Sequence, residues 1–135
     1  MGRVVCIDYG MKRCGIAATD ALRIAIHPVD TVEKSQLASF LDEYIGSEEV
    51  DELVFGHPEL ESGRQTPMVQ SMTDFIRELK RRHPDLSVVF HQEDFSSYDA
   101  ARQLVFAGIP KKQRQKKGTL DRMSAMLILK DYLGH

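Results

Sequence analysis

Three carboxylates stand where this chain could do chemistry: Asp8, Glu93 and Asp121. Asp8 ends an apolar run, Val4 to Ile7, just before a turn that carries Gly10. Glu93 lies just past a second apolar run, Leu86 to Phe90. Asp121 falls in the first turn of the apolar final segment. Each also has an ordinary reading. Asp8 could simply start a turn, Glu93 could be a solvated loop charge, and Asp121 could complement the positive start of a helix, worth about 0.3–1 kcal/mol. Brought to one place, the three would repel unless a cation neutralised them. Carboxylate oxygens with water are ligands of the kind Mg²⁺ or Mn²⁺ takes. Two such ions about 3.5–4 Å apart can activate a water and stabilise the leaving oxygen of a phosphodiester.

The elements between them decide whether they meet. Val4–Ile7 and Cys14–Thr19 flank Gly10 and read as a β-hairpin, with φ > 0 available to the glycine. Arg23 to Pro28 reads as a third strand stopped at the proline. Ser35 is a candidate cap for a helix through Leu37, Phe40, Leu41, Tyr44 and Ile45, closed by Gly46. A fourth strand, Glu52–Gly56, is followed by a polar loop from Glu59 to Thr66. A second helix carries Met68, Val69, Met72, Phe75, Ile76 and Leu79, and ends in Lys80-Arg81-Arg82-His83, where cations suit the helix dipole. Leu86–Phe90 is a fifth strand. A third helix starts at Ser96 or Ser97 and runs through Val105. A last helix spans Thr119 to Leu133 and is apolar around much of its girth. An antiparallel meander followed by two βαβ units implies an α/β fold: a mixed, central five-stranded sheet with helices on both faces. Right-handed crossovers place strands four and five beside strand one. Open α/β sheets build sites at the carboxyl ends of parallel strands, so the three acids are expected at one sheet edge.

Length and composition set limits. The chain has 135 residues, is 42% hydrophobic and 28% charged, and carries a formal net charge of -2. One domain over residues 1–135 is expected. No apolar run reaches the roughly 20 residues of a membrane span, and the N-terminus lacks a signal-peptide pattern, so a cytoplasmic protein without a membrane partner is expected. Cys6 and Cys14, placed opposite each other across the hairpin, are expected to be reduced thiols, and two cysteines make a zinc site improbable. Affinity for a polyanion must come from local clusters. Lys12 and Arg13 follow the first turn and could hold a phosphate, or form a solvated hairpin end. Five of the seven residues from Lys111 to Lys117 are cationic. Lys112, Arg114, Lys116 and Lys117 could track a nucleic-acid backbone beside Asp121, or form a solubilising loop. His57 and His91 could move protons near the strand ends, with packing or loop roles as the alternative.

The residues from Asp8 to Ala17, Asp-Tyr-Gly-Met-Lys-Arg-Cys-Gly-Ile-Ala, resemble the D-x-G-x-K-R-I-G-V-A signature of the YqgF family. That family comprises Holliday-junction-resolvase-like proteins of RNase H-like fold, linked to maturation of the 5′ end of pre-16S ribosomal RNA. Val54-Phe55-Gly56-His57-Pro58 is similar to its V-x-G-L-P, with Gly63 at a later glycine. Gln92 to Ala100 stands at its D-E-R-L-[ST]-[ST]-x-x-A, and Leu120 to Leu129 at its final D-x-x-A-A-x-x-I-L helix. The resemblance implies a metal-dependent nuclease with Asp8, Glu93 and Asp121 as catalytic and metal-binding residues and Mg²⁺ or Mn²⁺ as cofactor. It implies RNA, pre-16S rRNA before branched DNA, as partner. A monomer or a weak homodimer is expected. There are departures. Gln92 replaces an Asp, Asp94 an Arg, His57 a Leu and Ser124 an Ala. Losing the Arg removes a bidentate phosphate binder, which keeps open a second reading: a nucleic-acid-binding module without cleavage. A third, an ATPase of the sugar-kinase and actin-like type, also opens with an Asp-x-Gly hairpin but needs two such domains.

Overall fold

The computed structural model describes residues 2–56, 66–91, 107–108, 110–114, 116 and 118–134. Its sheet contains β1 (Arg3–Asp8), β2 (Arg13–Thr19), β3 (Ile26–Glu33), β4 (Val50–Gly56) and β5 (Ser87–Phe90), in the order β3-β2-β1-β4-β5. β2 pairs antiparallel with β1 and β3, whereas β4 pairs parallel with β1 and β5. This is the mixed sheet the sequence implies. β1 is central and reads as a continuous apolar run because both of its faces are covered. Alternation sends Val5, Ile7 and Tyr9 to one face, where they join Leu37, Leu41, Met72 and Leu79 of helices α1 (Leu37–Ser47) and α2 (Pro67–Arg82). Val4 and Cys6 face the other way, with Ala17 and Val54, against Ala125, Ile128 and Leu129 of the last helix. A single helical turn, α3 (Lys111–Arg114), precedes that last helix, α4 (Thr119–Leu133). The helix expected to start at Ser96 or Ser97 lies outside the described residues.

Several local expectations change. β3 continues through Pro28 to Glu33. Pro28 faces Ala17 and Asp30 faces Ile16, so Val29 is an extra residue in a bulge. An edge strand tolerates proline at such a point because no ladder bond is lost there. Ser35 lies inside a 3-10 turn, Lys34–Gln36, that leads into α1, and neither start is capped by a side chain. α1 passes through Gly46 to Ser47. α2 is capped by Thr66, whose hydroxyl accepts from the Val69 N–H at 3.2 Å, with Pro67 in the first turn. The cations at its other end are engaged locally: Arg82 and His83 both reach Asp42 of α1, at 3.3 and 2.7 Å, and Arg81 pairs with Glu78. The His83 hydrogen bond is the main reason the Asp42 carboxyl lies below its ordinary range. Gly10 does not take φ > 0. A glycine is needed there because a Cβ would fall 2.4 Å from the carbonyl oxygen of Arg13. Cys6 faces Ala17 rather than Cys14, and the two thiols lie on opposite faces of the sheet, both buried and free.

α4 crosses the strands instead of following them. Its start rests on β3 and β2, Ile128 lies 3.2 Å from where a Cβ of Gly56 on β4 would stand, and Asp131 reaches His91 just past β5. A helix from Thr119 to Asp131 is about 20 Å long, close to the roughly 19 Å spanned by four inter-strand gaps. The surface beneath is shaved flat by Gly15, Ala17 and Gly56. At Gly15 a Cβ would stand 1.9 Å from the backbone oxygen of Asp121. Gly15→Ala is therefore expected to cost at least about 1–3 kcal/mol, because backbone, not a flexible side-chain end, must move. Gly46→Ala, where nothing lies within 4 Å of the new methyl, is expected to stabilise by about 0.4–1 kcal/mol. Urea unfolding of the two variants checks both signs; equal effects would contradict this packing.

Candidate active site at the sheet end

A row of cross-strand partners crosses the sheet at the end of β1: Thr31 on β3, Gly15 on β2, Asp8 on β1 and Gly56 on β4. Asp8 is only 6% exposed. Strand alternation puts it on the face of Val4 and Cys6, the one covered by α4. The bare glycines on either side are what let α4 close over this end of the sheet: the Asp121 backbone occupies the place of a Gly15 side chain, and Ile128 lies against Gly56.

The first turn of α4 is fixed to the same row. Gly118 precedes it at φ 87, a backbone region open to glycine. The Thr31 hydroxyl donates to the Gly118 carbonyl at 2.6 Å and accepts from Arg122 Nη1 at 3.2 Å. Arg122 Nη2 also donates to the Thr119 hydroxyl at 3.3 Å. Asp121 consequently lies with its backbone on Gly15, the direct partner of Asp8. Adjacent strands are about 4.8 Å apart, so these two carboxylate residues share one corner of the molecule although 113 positions separate Asp8 from Asp121 in the chain. Arg13 joins them: its Nε donates to Asp121 Oδ2 at 3.2 Å, with both side chains partly exposed. Such a pair adds little stability, about 0–1 kcal/mol; its effect is to orient the carboxylate.

The remaining candidates distribute as follows. Lys12, Lys112 and Lys116 are exposed, and Arg114 lies in α3, so the run expected as an irregular loop contains a helical turn. Glu93, Gln92, Asp94, His57 and Lys117 lie outside the described residues. His91 has Nε2 2.9 Å from Asp131 Oδ2 and its ring edge-on to Tyr132, which docks the end of α4 on β5. Among the described residues no group of three or more His, Cys, Asp or Glu could hold a metal ion. Asp8 and Asp121 offer two hard oxygen donors at one corner, a donor type that fits Mg²⁺ or Mn²⁺. The nearby sulfurs do not compete as ligands. Burial pushes the Cys14 thiol up to about 11, and burial with Asp8 nearby raises Cys6 well above its ordinary value, so both stay protonated.

The family model for RuvX, described as a Holliday junction resolvase, matches residues 2–135. The chain belongs to the RuvX family. Relatives agree along its length. A protein of Amoebophilus asiaticus (strain 5a2), named "Putative pre-16S rRNA nuclease", is 39% identical over 133 residues, covering 98% of this chain and 94% of that one. One from Bacteroides fragilis (strain ATCC 25285) with the same name is 38% identical, covering 98% and 96%. The resemblance read from the motifs is thus borne out. Among solved structures, one titled "T. thermophilus RuvC in complex with Holliday junction substrate" superposes with a TM-score of 0.61 at 13% identity, covering 99% of this chain and 97% of that chain. The fowlpox virus Holliday junction resolvase gives 0.60 at 12%, covering 98% of each. These establish the fold, RNase H-like, as expected.

In this RuvX chain, sequence reasoning missed Thr31, Gly118, Arg122 and Lys34. The first was hidden by ending β3 at Pro28. The Gly118-Thr119 pair before an apolar helix was a usable signal for a helix start. Both thiols are expected to resist iodoacetamide at pH 8 in the native protein and to react once guanidinium unfolds it. Mass spectrometry of the alkylated protein checks this; rapid native labelling of either cysteine would contradict the burial that holds the thiolates back.

Proposed function

We propose that residues 1–135 act as one nuclease domain, a metal-dependent endonuclease that cuts structured RNA at the 5′ end of pre-16S rRNA in the cytoplasm. The observation that carries the reading is the placing of Asp121 on Gly15, beside Asp8, in a chain of the RuvX family. RNA is preferred to branched DNA as substrate because relatives at 38–39% identity, matched over 94–96% of their length, bear the rRNA name; the junction-resolving solved structures, at 12–13%, share only the fold, and the family description as a Holliday junction resolvase makes branched DNA the substrate to compare. Asp8 and Asp121, with Glu93, would hold Mg²⁺ or Mn²⁺. When bound, such ions supply a water of lowered pKa and charge neutralisation at the leaving oxygen, the two-metal pattern.

The chain's own residues set the conditions for that chemistry. Asp8, nearly closed off from solvent at a rigid strand end, holds its carboxylate without rotameric search. Arg13 keeps Asp121 oriented and balances its charge. Lys12, Lys112 and Lys116, exposed around the corner, supply local attraction for phosphates in a protein of net charge -2. No described helix is long and apolar enough to cross a membrane.

A second reading, RNA or branched-DNA binding without cleavage, draws on Gln92 and Asp94. One experiment separates them. Highly purified protein is expected to cleave a precursor 16S RNA fragment with Mg²⁺ or Mn²⁺, and Asp8→Asn and Asp121→Asn to lower the rate by about 100-fold or more while circular dichroism stays unchanged. Binding without cleavage by the wild type would establish the second reading. Equal cleavage by all three proteins would show that these acids are not the site.

A further inference from the structure

We propose that Lys34, paired with Lys12, forms a second phosphate-binding subsite on the α1 and α2 side of the sheet end, so that the substrate backbone is gripped on both sides of the acid corner. This rests on the nuclease reading above and adds to it a residue and a path. The 3-10 turn that carries Lys34 begins where β3 ends, and the Lys34 N–H donates to the Lys12 carbonyl at 2.9 Å. That bond ties the β1–β2 turn to the start of α1 and fixes the two lysines beside each other. They border an open cavity of about 520 Å³ whose wall also includes Met11, Arg13, Glu33 and Ser35.

Three cations, Lys12, Arg13 and Lys34, and one carboxylate, Glu33, line this space. Arg13 is engaged by Asp121, but among the described residues neither Lys12 nor Lys34 has an ion-pair partner. Lys34 is half-buried, which limits the freedom of its stem, and an ammonium without an ion-pair partner is available to form a charge-assisted bond with an incoming phosphate. Lys34 also borders a second hollow, about 700 Å³, along Tyr9, Ser71 and Phe75 between α1 and α2. It is the one residue common to both walls, so it stands on the ridge between them. Asp74 in that second wall is already engaged by Gln70 and Arg77, at 2.9 and 3.3 Å.

The geometry supplies the path. Tyr9 belongs to the core face of α1 and α2, opposite the face of α4. The basic turn α3 stands on the α4 side, joined to it through the Thr119 N–H to Lys116 carbonyl bond. Arg13, next to Lys12 in the chain, meets Asp121 at 3.2 Å, and α3 leads into the helix that carries Asp121, so both basic groups adjoin the residue that borders Asp8. A nucleic-acid strand that contacts α3 and also Lys12 and Lys34 would then run alongside Asp121, with phosphates held on either side of the acid corner. The two clusters would then place the strand, which neither does alone.

The test is a salt titration of affinity for a structured RNA fragment, comparing wild type with Lys34→Gln, Lys34→Arg and Lys80→Gln. Lys80 lies in the far turn of α2, about 20 Å along the helix from Pro67, and controls for net charge. Lys34→Gln is expected to weaken binding at least about threefold and to make the slope of log affinity against log salt shallower by about 0.7–0.9, the value for one phosphate contact. Lys34→Arg should retain the slope, Lys80→Gln should match the wild type, and melting temperatures with and without Mn²⁺ should be common to all four. Wild-type binding with a Lys34→Gln slope equal to it, or a Lys80→Gln effect as large, would overturn the subsite while leaving the nuclease reading intact. Absence of salt-dependent binding by the wild type would overturn the nucleic-acid reading itself and the subsite with it.

Discussion

The structure depends on one close contact: the backbone of Asp121 lies against Gly15, where any side chain would collide with it. Dispersion and apolar burial along Ala125, Ile128 and Leu129 hold α4 on the sheet, but these forces are not directional and would permit the helix to slide. Register comes from polar contacts at its two ends. Thr31 and Arg122 fix the start, and His91 with Asp131 fixes the end. Between them the bare glycines admit the helix to a depth that carries Asp121 to the level of Asp8. A helix standing even one methyl further out would still cover the apolar face, yet would lift the Asp121 backbone off Gly15, the strand partner of Asp8.

The two faces of the sheet have different tasks. The α1 and α2 face carries the larger residues, Ile7, Tyr9, Ile16, Leu41, Phe55 and Leu79, all fully buried. The α4 face is thinner, built from Val4, Cys6, Ala17 and Val54. That asymmetry matches the depth at which α4 lies on the sheet, with Asp121 on Gly15 and Ile128 on Gly56. A thin layer of small residues lets a helix backbone approach the sheet, and the thick layer opposite supplies most of the apolar burial. The placement of cations follows the same division, with α3 near one face and Lys34 near the other, while the overall charge remains slightly negative.

Strand order, the central β1 and the extent of α4 were legible in the sequence because apolar period and run length report burial directly. The meeting of the end of β1 with the start of α4 was legible as topology, while Glu93, the third acid expected there, lies outside the described residues. Details that depend on tertiary contact were not. Pro28 reads as a stop in isolation, and only its position in an edge strand with a bulge admits it. Gly10 reads as a residue for positive φ, whereas the constraint is a carbonyl 2.4 Å from its absent Cβ. The facing of Cys6 and Cys14 failed for a related reason. Hairpin register shifts pairing, and the pleat then sends the two sulfurs to opposite faces. Lys34 was hidden by both effects, since its neighbours come from a strand that the proline seemed to end and from a turn elsewhere in the chain.

The central claim is that Asp8 and Asp121 share one cation-binding corner over Gly15. Its most direct test is an anomalous difference map from crystals of the protein grown in saturating Mn²⁺. The account predicts a peak within about 2.0–2.3 Å of oxygens from both Asp8 and Asp121, lost in Asp8→Asn crystals of the same form. A Mn²⁺ ion bound elsewhere with this corner empty, or a peak that survives unchanged in Asp8→Asn, would contradict it.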